Sequence, residues 1–146
     1  MFLDLKELRR SGKDSKSFFF EYTPTNDLMA IPNTEIVLPV VISGEITLTG
    51  THSAYLSGEI RFDVKGECTR CLADVTKTFC VEFDEEVEEN NPSGYSVKND
   101  LVDLGKIVED AILVDMPVAL LCKEDCKGLC AGCGVNLNLE NCKCKN

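Results

Sequence analysis

The sequence predicts an α+β fold: an antiparallel β meander, or small barrel-like sheet, with one packed helix and a cysteine-rich, zinc-ribbon-like tail. Three observations predict it. Runs rich in Val, Ile, Phe and Thr, with period-two alternation, fill most of residues 17–87. One amphipathic pattern of period three to four follows Asp103. Six of the nine cysteines lie beyond residue 121, in a stretch with few large apolar side chains.

In chain order, Leu5 and Leu8 follow Asp4 at helical spacing, so a short helix capped by Asp4 is expected over 4–10, ending at Ser11-Gly12. Ser17–Thr23 is aromatic and reads as a strand, and 24–33, with two prolines and two asparagines, as a loop. Three strand-like stretches follow: Glu35–Thr49, Thr51–Val64 and Asp74–Val87. The turns between them fall at Gly50–Ser53 and Gly66–Leu72. Residues 84–100 are polar and read as a fraying strand end running into an exposed acidic loop. Asp103 then caps a helix carrying Leu104, Ile107, Val108, Ala111 and Ile112 on one face. Pro117 should end that helix near Asp115 or Met116. The expected division is a core domain over 1–121 and a metal-binding tail over 122–146, which is too poor in large apolar residues to build its own core.

With 146 residues, the chain can bury one real core. At 44% hydrophobic it is not a disordered chain. Its net charge of −10 disfavours a basic nucleic-acid footprint. The segment 67–100 holds nine acids against three bases, and so most of that charge. Asp4 and Glu7 interrupt the first apolar stretch, unlike a signal peptide. No window approaches ~18 apolar residues in a row, so no membrane span is expected. A cytoplasmic protein is the expectation. Nine cysteines in a reducing compartment are then more readily metal ligands or catalytic thiols than disulfides.

The cysteines follow a pattern. Cys68 and Cys71 form one C-x2-C pair. After the lone Cys80 come Cys122, Cys126, Cys130, Cys133, Cys142 and Cys144, which include a second C-x2-C and a C-x-C. A tight turn lets both thiolates of such a pair face one Zn²⁺ at ~2.3 Å. Eight ligands make two four-cysteine sites, and Cys80, in the middle of a strand, is the natural outsider. Cys130/Cys133 and Cys142/Cys144 lie eight residues apart, so closing that loop costs little entropy. They are read as one local site. Cys68/Cys71 with Cys122/Cys126 are read as a second site that fastens the tail to the meander. Gly134 follows Cys133 and permits a positive φ that turns backbone N–H groups toward sulfur. A redox C-x2-C and an iron–sulfur cluster are the competing readings. One or two metal ions remain open at this point.

His52 sits in a predicted turn with no nucleophile motif beside it and reads as a solvated residue. No phosphate loop, dinucleotide fingerprint, nucleophile elbow or zinc-protease motif occurs, so no enzyme is expected. Asp84, Glu85, Glu86, Glu88 and Glu89 crowd into six positions and read as an electrostatic patch for a basic partner.

Together, several motifs resemble the YceD family, the large ribosomal RNA subunit accumulation proteins. They are Glu67-Cys-Thr-Arg-Cys-Leu72, Val102-Asp-Leu-Gly105 opening a helix, Met116-Pro117, Cys122 through Asn138, and Cys142-Lys-Cys144. The resemblance runs from about residue 34 to 144. It implies a part in accumulation or processing of 23S ribosomal RNA and in large-subunit biogenesis, with no established catalysis. An acidic chain in that role is expected to contact a basic ribosomal protein or a large-subunit precursor. Direct RNA contact through Lys123, Lys127, Lys143 and Lys145 is the alternative.

Overall fold

A computed structural model of the chain describes residues 2–24, 28, 31, 33–90, 94–117 and 119–144. Most of the expected 24–33 loop, residues 91–93 of the acidic stretch and Lys145 lie outside the described residues.

The chain opens with a short strand, β1 (Phe2–Asp4), and a helix, α1 (Leu5–Arg10). Asp4 caps the helix as expected: its carboxylate accepts from the Lys6 N–H at 2.9 Å and the Glu7 N–H at 3.3 Å. Strands β2 (Ser15–Tyr22), β3 (Thr34–Gly50), β4 (Ser53–Glu67) and β5 (Asp74–Glu89) follow. Then come β6 (Ser96–Val97), β7 (Leu101–Asp103) and the helix α2 (Leu104–Asp115). The main sheet has the order β2-β3-β4-β5-β6, and β1 and β7 form a second, two-stranded sheet. The β2–β3 pair is antiparallel, with Phe18 opposite Gly44 and Phe20 opposite Ile42.

Two expectations need correction. The stretch 84–89 does not fray. It stays in β5, because the alternation that began at Val75 continues through Val81, Phe83 and the fully buried Val87. The acidic loop is also shorter than expected. Residues 96–97 pair parallel to β5, with Glu88 opposite Ser96 and Glu89 opposite Val97, so the sheet is not purely antiparallel. Asn99 and Asp100 then adopt φ of 52° and 60° between Lys98 and Leu101, which exchange backbone hydrogen bonds of 3.1 and 2.9 Å. Asn and Asp tolerate this left-handed geometry better than other residues with a β-carbon, and such turns join strands tightly. The turn returns the chain along β1, pairing Leu3 with Val102.

The chain divides into two compact units. The first holds residues 1–28, 38–62 and 78–116. Its core takes Val40, Ile42 and Ile46 from β3, Leu56, Ile60 and Phe62 from β4, and Val81, Phe83 and Val87 from β5. Helix α2 adds Leu104, Ile107, Val108 and Ile112, the face its period predicts. Glu109 on the same helix is buried, and the Tyr22 hydroxyl donates to it at 2.8 Å. Gly44 and Gly58 meet within this sheet. A β-carbon on Gly44 would lie 2.3 Å from the Ser57 carbonyl oxygen and 2.9 Å from the Phe18 ring. One on Gly58 would lie 2.4 Å from the Ser43 carbonyl and 3.0 Å from Phe83. Two glycines are required where these strands and rings crowd.

The second unit holds residues 29–37, 63–77 and 117–146. Its buried cluster is built on Cys68, Cys71 and Cys126, with Val75 and Leu121 packed against them. No helix among the described residues is long and apolar enough to cross a membrane.

Candidate metal centres

All eight cysteines expected as ligands fall into two quartets, both inside the second unit. The first is Cys68, Cys71, Cys122 and Cys126; the second is Cys130, Cys133, Cys142 and Cys144. Within each, the sulfurs lie within 4.8 Å of one another.

The first quartet is built where β4 turns into β5. The Cys68 N–H donates to the Ala73 carbonyl at 2.8 Å and the Leu72 N–H to the Cys68 carbonyl at 2.9 Å, closing the loop that carries the C-x2-C pair. The tail is tied to this loop by backbone. The Thr69 N–H donates to the Leu120 carbonyl at 2.7 Å, and the Leu120 N–H returns to the Thr69 hydroxyl at 3.1 Å. Cys122 and Cys126 are thereby laid on Cys68 and Cys71. The Cys68–Cys126 sulfurs are 3.7 Å apart and the Cys71–Cys122 sulfurs 3.6 Å. Cys68, Cys71 and Cys126 are buried, and Cys122 reaches the surface.

The second quartet belongs to a small knuckle. The Cys130 N–H donates to the Val135 carbonyl and the Gly134 N–H to the Cys130 carbonyl, both at 2.9 Å. Gly134 takes φ +77°, as its place after the C-x2-C pair predicts. Gly132 is needed for a different reason: a β-carbon there would lie 2.5 Å from the Cys144 sulfur. Sulfur separations are 3.3 Å for Cys130–Cys142, 3.6 Å for Cys130–Cys144 and 4.0 Å for Cys133–Cys142. No cysteine of this quartet is buried.

These distances fit one ion per quartet. Four sulfurs ~2.3 Å from a tetrahedral ion lie about 3.8 Å from each other, which is the spacing of both groups. A disulfide needs ~2.05 Å, so neither quartet is a pair of bonds. A cubane cluster would seat its four thiolates on four separate irons and spread them more widely than this.

The electrostatics agree. Burial would raise the Cys68 thiol, but backbone N–H groups of Cys71, Cys122 and Arg70 outweigh it and bring the pKa to about 6. Backbone N–H groups of Cys133 and Gly132 bring Cys130 to about 6. The side-chain amide of Asn138 lowers Cys126. Their neighbours move the other way: desolvation and the surrounding thiols raise Cys122 to about 12, and the hydrogen bond with Cys142 leads Cys144 up to about 11. Four thiols this close cannot all ionise unaided, and a cation at the centre of either set would relieve the repulsion among their thiolates.

Two residues outside the ligand set hold the first quartet. Arg70 donates to the Cys126 carbonyl at 2.9 Å. Asn138 donates from Nδ2 to the Cys126 sulfur at 3.3 Å and accepts from the Lys127 N–H at 2.9 Å. Neither residue carries a ligand type or a spacing that marks it in the sequence. Their positions, one inside a C-x2-C pair and one in a polar turn, were the only signal.

The other candidates stand apart. Cys80 is exposed on β5 near Glu59 and Arg61 and joins neither quartet. His52 is half exposed in the β3–β4 turn, with Nδ1 3.3 Å from Asp100 and Nε2 3.9 Å from Glu89. The five acids do not share one face. Asp84, Glu86 and Glu88 alternate outward with Glu82, while Glu85 lies on the side of Phe83 and Val87. Glu89 ends the strand beside His52.

A β-rich protein whose C-terminal segment is drawn together by two four-thiolate sites is the class these features define. Residues 56–146 match the family described as large ribosomal RNA subunit accumulation protein YceD, and the chain belongs to that family. An uncharacterized protein of Mycobacterium tuberculosis (strain H37Rv) is 32% identical over 96 residues, covering 58% of this chain and 45% of that protein. One of Mycobacterium leprae is 30% identical over 95 residues, 58% of this chain and 43% of that protein. The chain thus spans less than half the length of these relatives. A Zea mays protein named large ribosomal RNA subunit accumulation protein YCED homolog 1, chloroplastic, is 30% identical over 66 residues, 44% of this chain and 22% of that protein. No solved structure matches the chain.

Proposed function

We propose that this protein is a non-enzymatic factor of large ribosomal subunit biogenesis. It supports accumulation and processing of 23S ribosomal RNA in the cytoplasm by holding a basic ribosomal protein. Family membership over residues 56–146 carries the reading. The outward acids Glu82, Asp84, Glu86 and Glu88 support the choice of partner, because a row of carboxylates repels phosphate backbone and attracts Lys- and Arg-rich surfaces. The two quartets hold Zn²⁺ as structural ions in a zinc-ribbon-like tail. Four thiolates per ion leave no open position for water, which favours cross-linking over catalysis.

The test is capture of partners from a lysate with and without nuclease. A ribosomal protein retained after RNA digestion supports the reading. Loss of every partner with the RNA would overturn it in favour of direct RNA contact through the tail lysines.

A further inference from the structure

The two quartets differ in a way that their shared ligand chemistry does not require. Three of the four cysteines in the first are buried, and apolar residues pack against them. In the second none is buried, and Cys133 and Cys142 are exposed. The second also brings the Cys130 and Cys142 sulfurs to 3.3 Å of each other. Oxidant access to thiolate sulfur follows exposure, and a second thiolate within reach converts the first oxidation product into a disulfide.

We propose that the surface quartet is a peroxide-sensitive modification site that sheds its metal ion, while the buried quartet keeps its own. The inference rests on the reading that both quartets hold zinc. The Cys142 thiolate attacks one oxygen of hydrogen peroxide, forming an S–O bond as the O–O bond breaks and hydroxide leaves. The Cys130 thiolate then attacks the Cys142 sulfur, forming the S–S bond and expelling a second hydroxide. Two thiolates lose two electrons in total, and peroxide gains them. The zinc ion, left with two of its four ligands, passes to a chelator with its charge unchanged. In the buried quartet Cys122 alone is exposed, and the packing around Cys68, Cys71 and Cys126 keeps peroxide from those three sulfurs.

The closeness of Gly132 to the Cys144 sulfur supplies a probe that leaves every ligand in place. Gly132→Ala must displace that sulfur, so it loosens the surface site alone.

The test uses the full chain purified under reducing conditions, its zinc content measured first. Hydrogen peroxide is added with a chromogenic zinc chelator, and disulfides are mapped by mass spectrometry. One zinc per chain should leave in a first phase as the Cys130–Cys142 bond appears, with Cys68, Cys71 and Cys126 still reduced. Dithiothreitol and added zinc should restore the site. Gly132→Ala should hasten the first phase and not the second. Two zinc ions leaving in one phase, a first disulfide among Cys68, Cys71, Cys122 and Cys126, or no release would each overturn the proposal. A protein that carries no zinc at the outset would instead overturn the underlying metal reading, a distinct result.

Discussion

Asn138 is the side chain that braces the first quartet from the knuckle. Its amide donates to the Cys126 sulfur and its carbonyl oxygen accepts from the Lys127 backbone. Hydrogen bonds to ligand sulfur typically tune metal affinity by 10–100-fold when removed. Asn138→Ala should therefore weaken the first quartet by about that factor in a chelator competition, with little change at the second. The ligands themselves were legible because C-x2-C spacing is a local property of the chain. Asn138 was not, because its partner lies twelve residues away and meets it only once the knuckle has folded. A second residue ties the first unit. Asp100 accepts from Arg9 and lies 3.3 Å from His52 Nδ1. Burial would raise its carboxyl pKa, but the hydrogen bonds from His52 and Arg9 outweigh it and hold it below the ordinary value. A group whose pKa is lowered on folding adds stability above its unfolded value of ~3.9, and that stability is lost as pH falls through the folded value. Asp100→Asn should thus lower the melting temperature at neutral pH and flatten its decline below about pH 4.

At the scale of an element, β5 decides what the acidic stretch can do. In sequence, Asp84, Glu85, Glu86, Glu88 and Glu89 form one patch. In a strand, successive side chains point to opposite faces, so the patch divides. Glu85 turns toward the core side, where burial, then Asp84 and Asp110, raise its pKa. A raised carboxyl favours the folded state at pH values below its unfolded pKa, and that advantage is lost as pH rises through the folded value. Glu85→Gln should therefore raise the melting temperature at neutral pH and leave partner association unchanged. Replacing Glu82, Asp84, Glu86 and Glu88 together by Gln or Asn should slow association with a basic partner and flatten its salt dependence, without unfolding the domain. Stopped-flow association at several salt concentrations separates the two sets. Equal effects of Glu85 and the outward four would refute the division by face. The strands were legible because period-two alternation is strong from Val75 to Phe83. The continuation to Glu89 was hidden by composition, since only Val87 betrays the inward side. The turn at Asn99-Asp100 did carry its own signal, two residues suited to positive φ, but it sat inside a polar run that reads as a loop.

At the scale of the molecule, net charge and the candidate metal centres are separated. The second unit's segments carry seven acidic and seven basic side chains, so the net −10 belongs to the first unit. The first unit also owns the large apolar core, from Leu5 and Ile42 through Ile112. Among the described residues, the second buries little besides three cysteines, Val64, Leu120 and Ile31. A cluster that small cannot offset the entropy of ordering its loops. An ion in each quartet would supply the missing stability: structural zinc contributes about 10–16 kcal/mol in zinc-finger peptides near neutral pH. Metal removal should then melt 63–77 and 119–144 while 38–62 and 78–116 keep their protected amides, as read by hydrogen exchange after chelation. The two quartets should not weigh equally in that experiment. Cys71→Ser opens the buried cluster and frees the Leu120–Thr69 tie, so exchange should rise throughout both segments. Cys133→Ser removes a surface ligand and should raise exchange only beyond Cys126, where the knuckle begins. Indistinguishable exchange patterns for Cys71→Ser and Cys133→Ser would mean that the two sites fold as one, and that the surface knuckle supports the buried quartet rather than hanging from it.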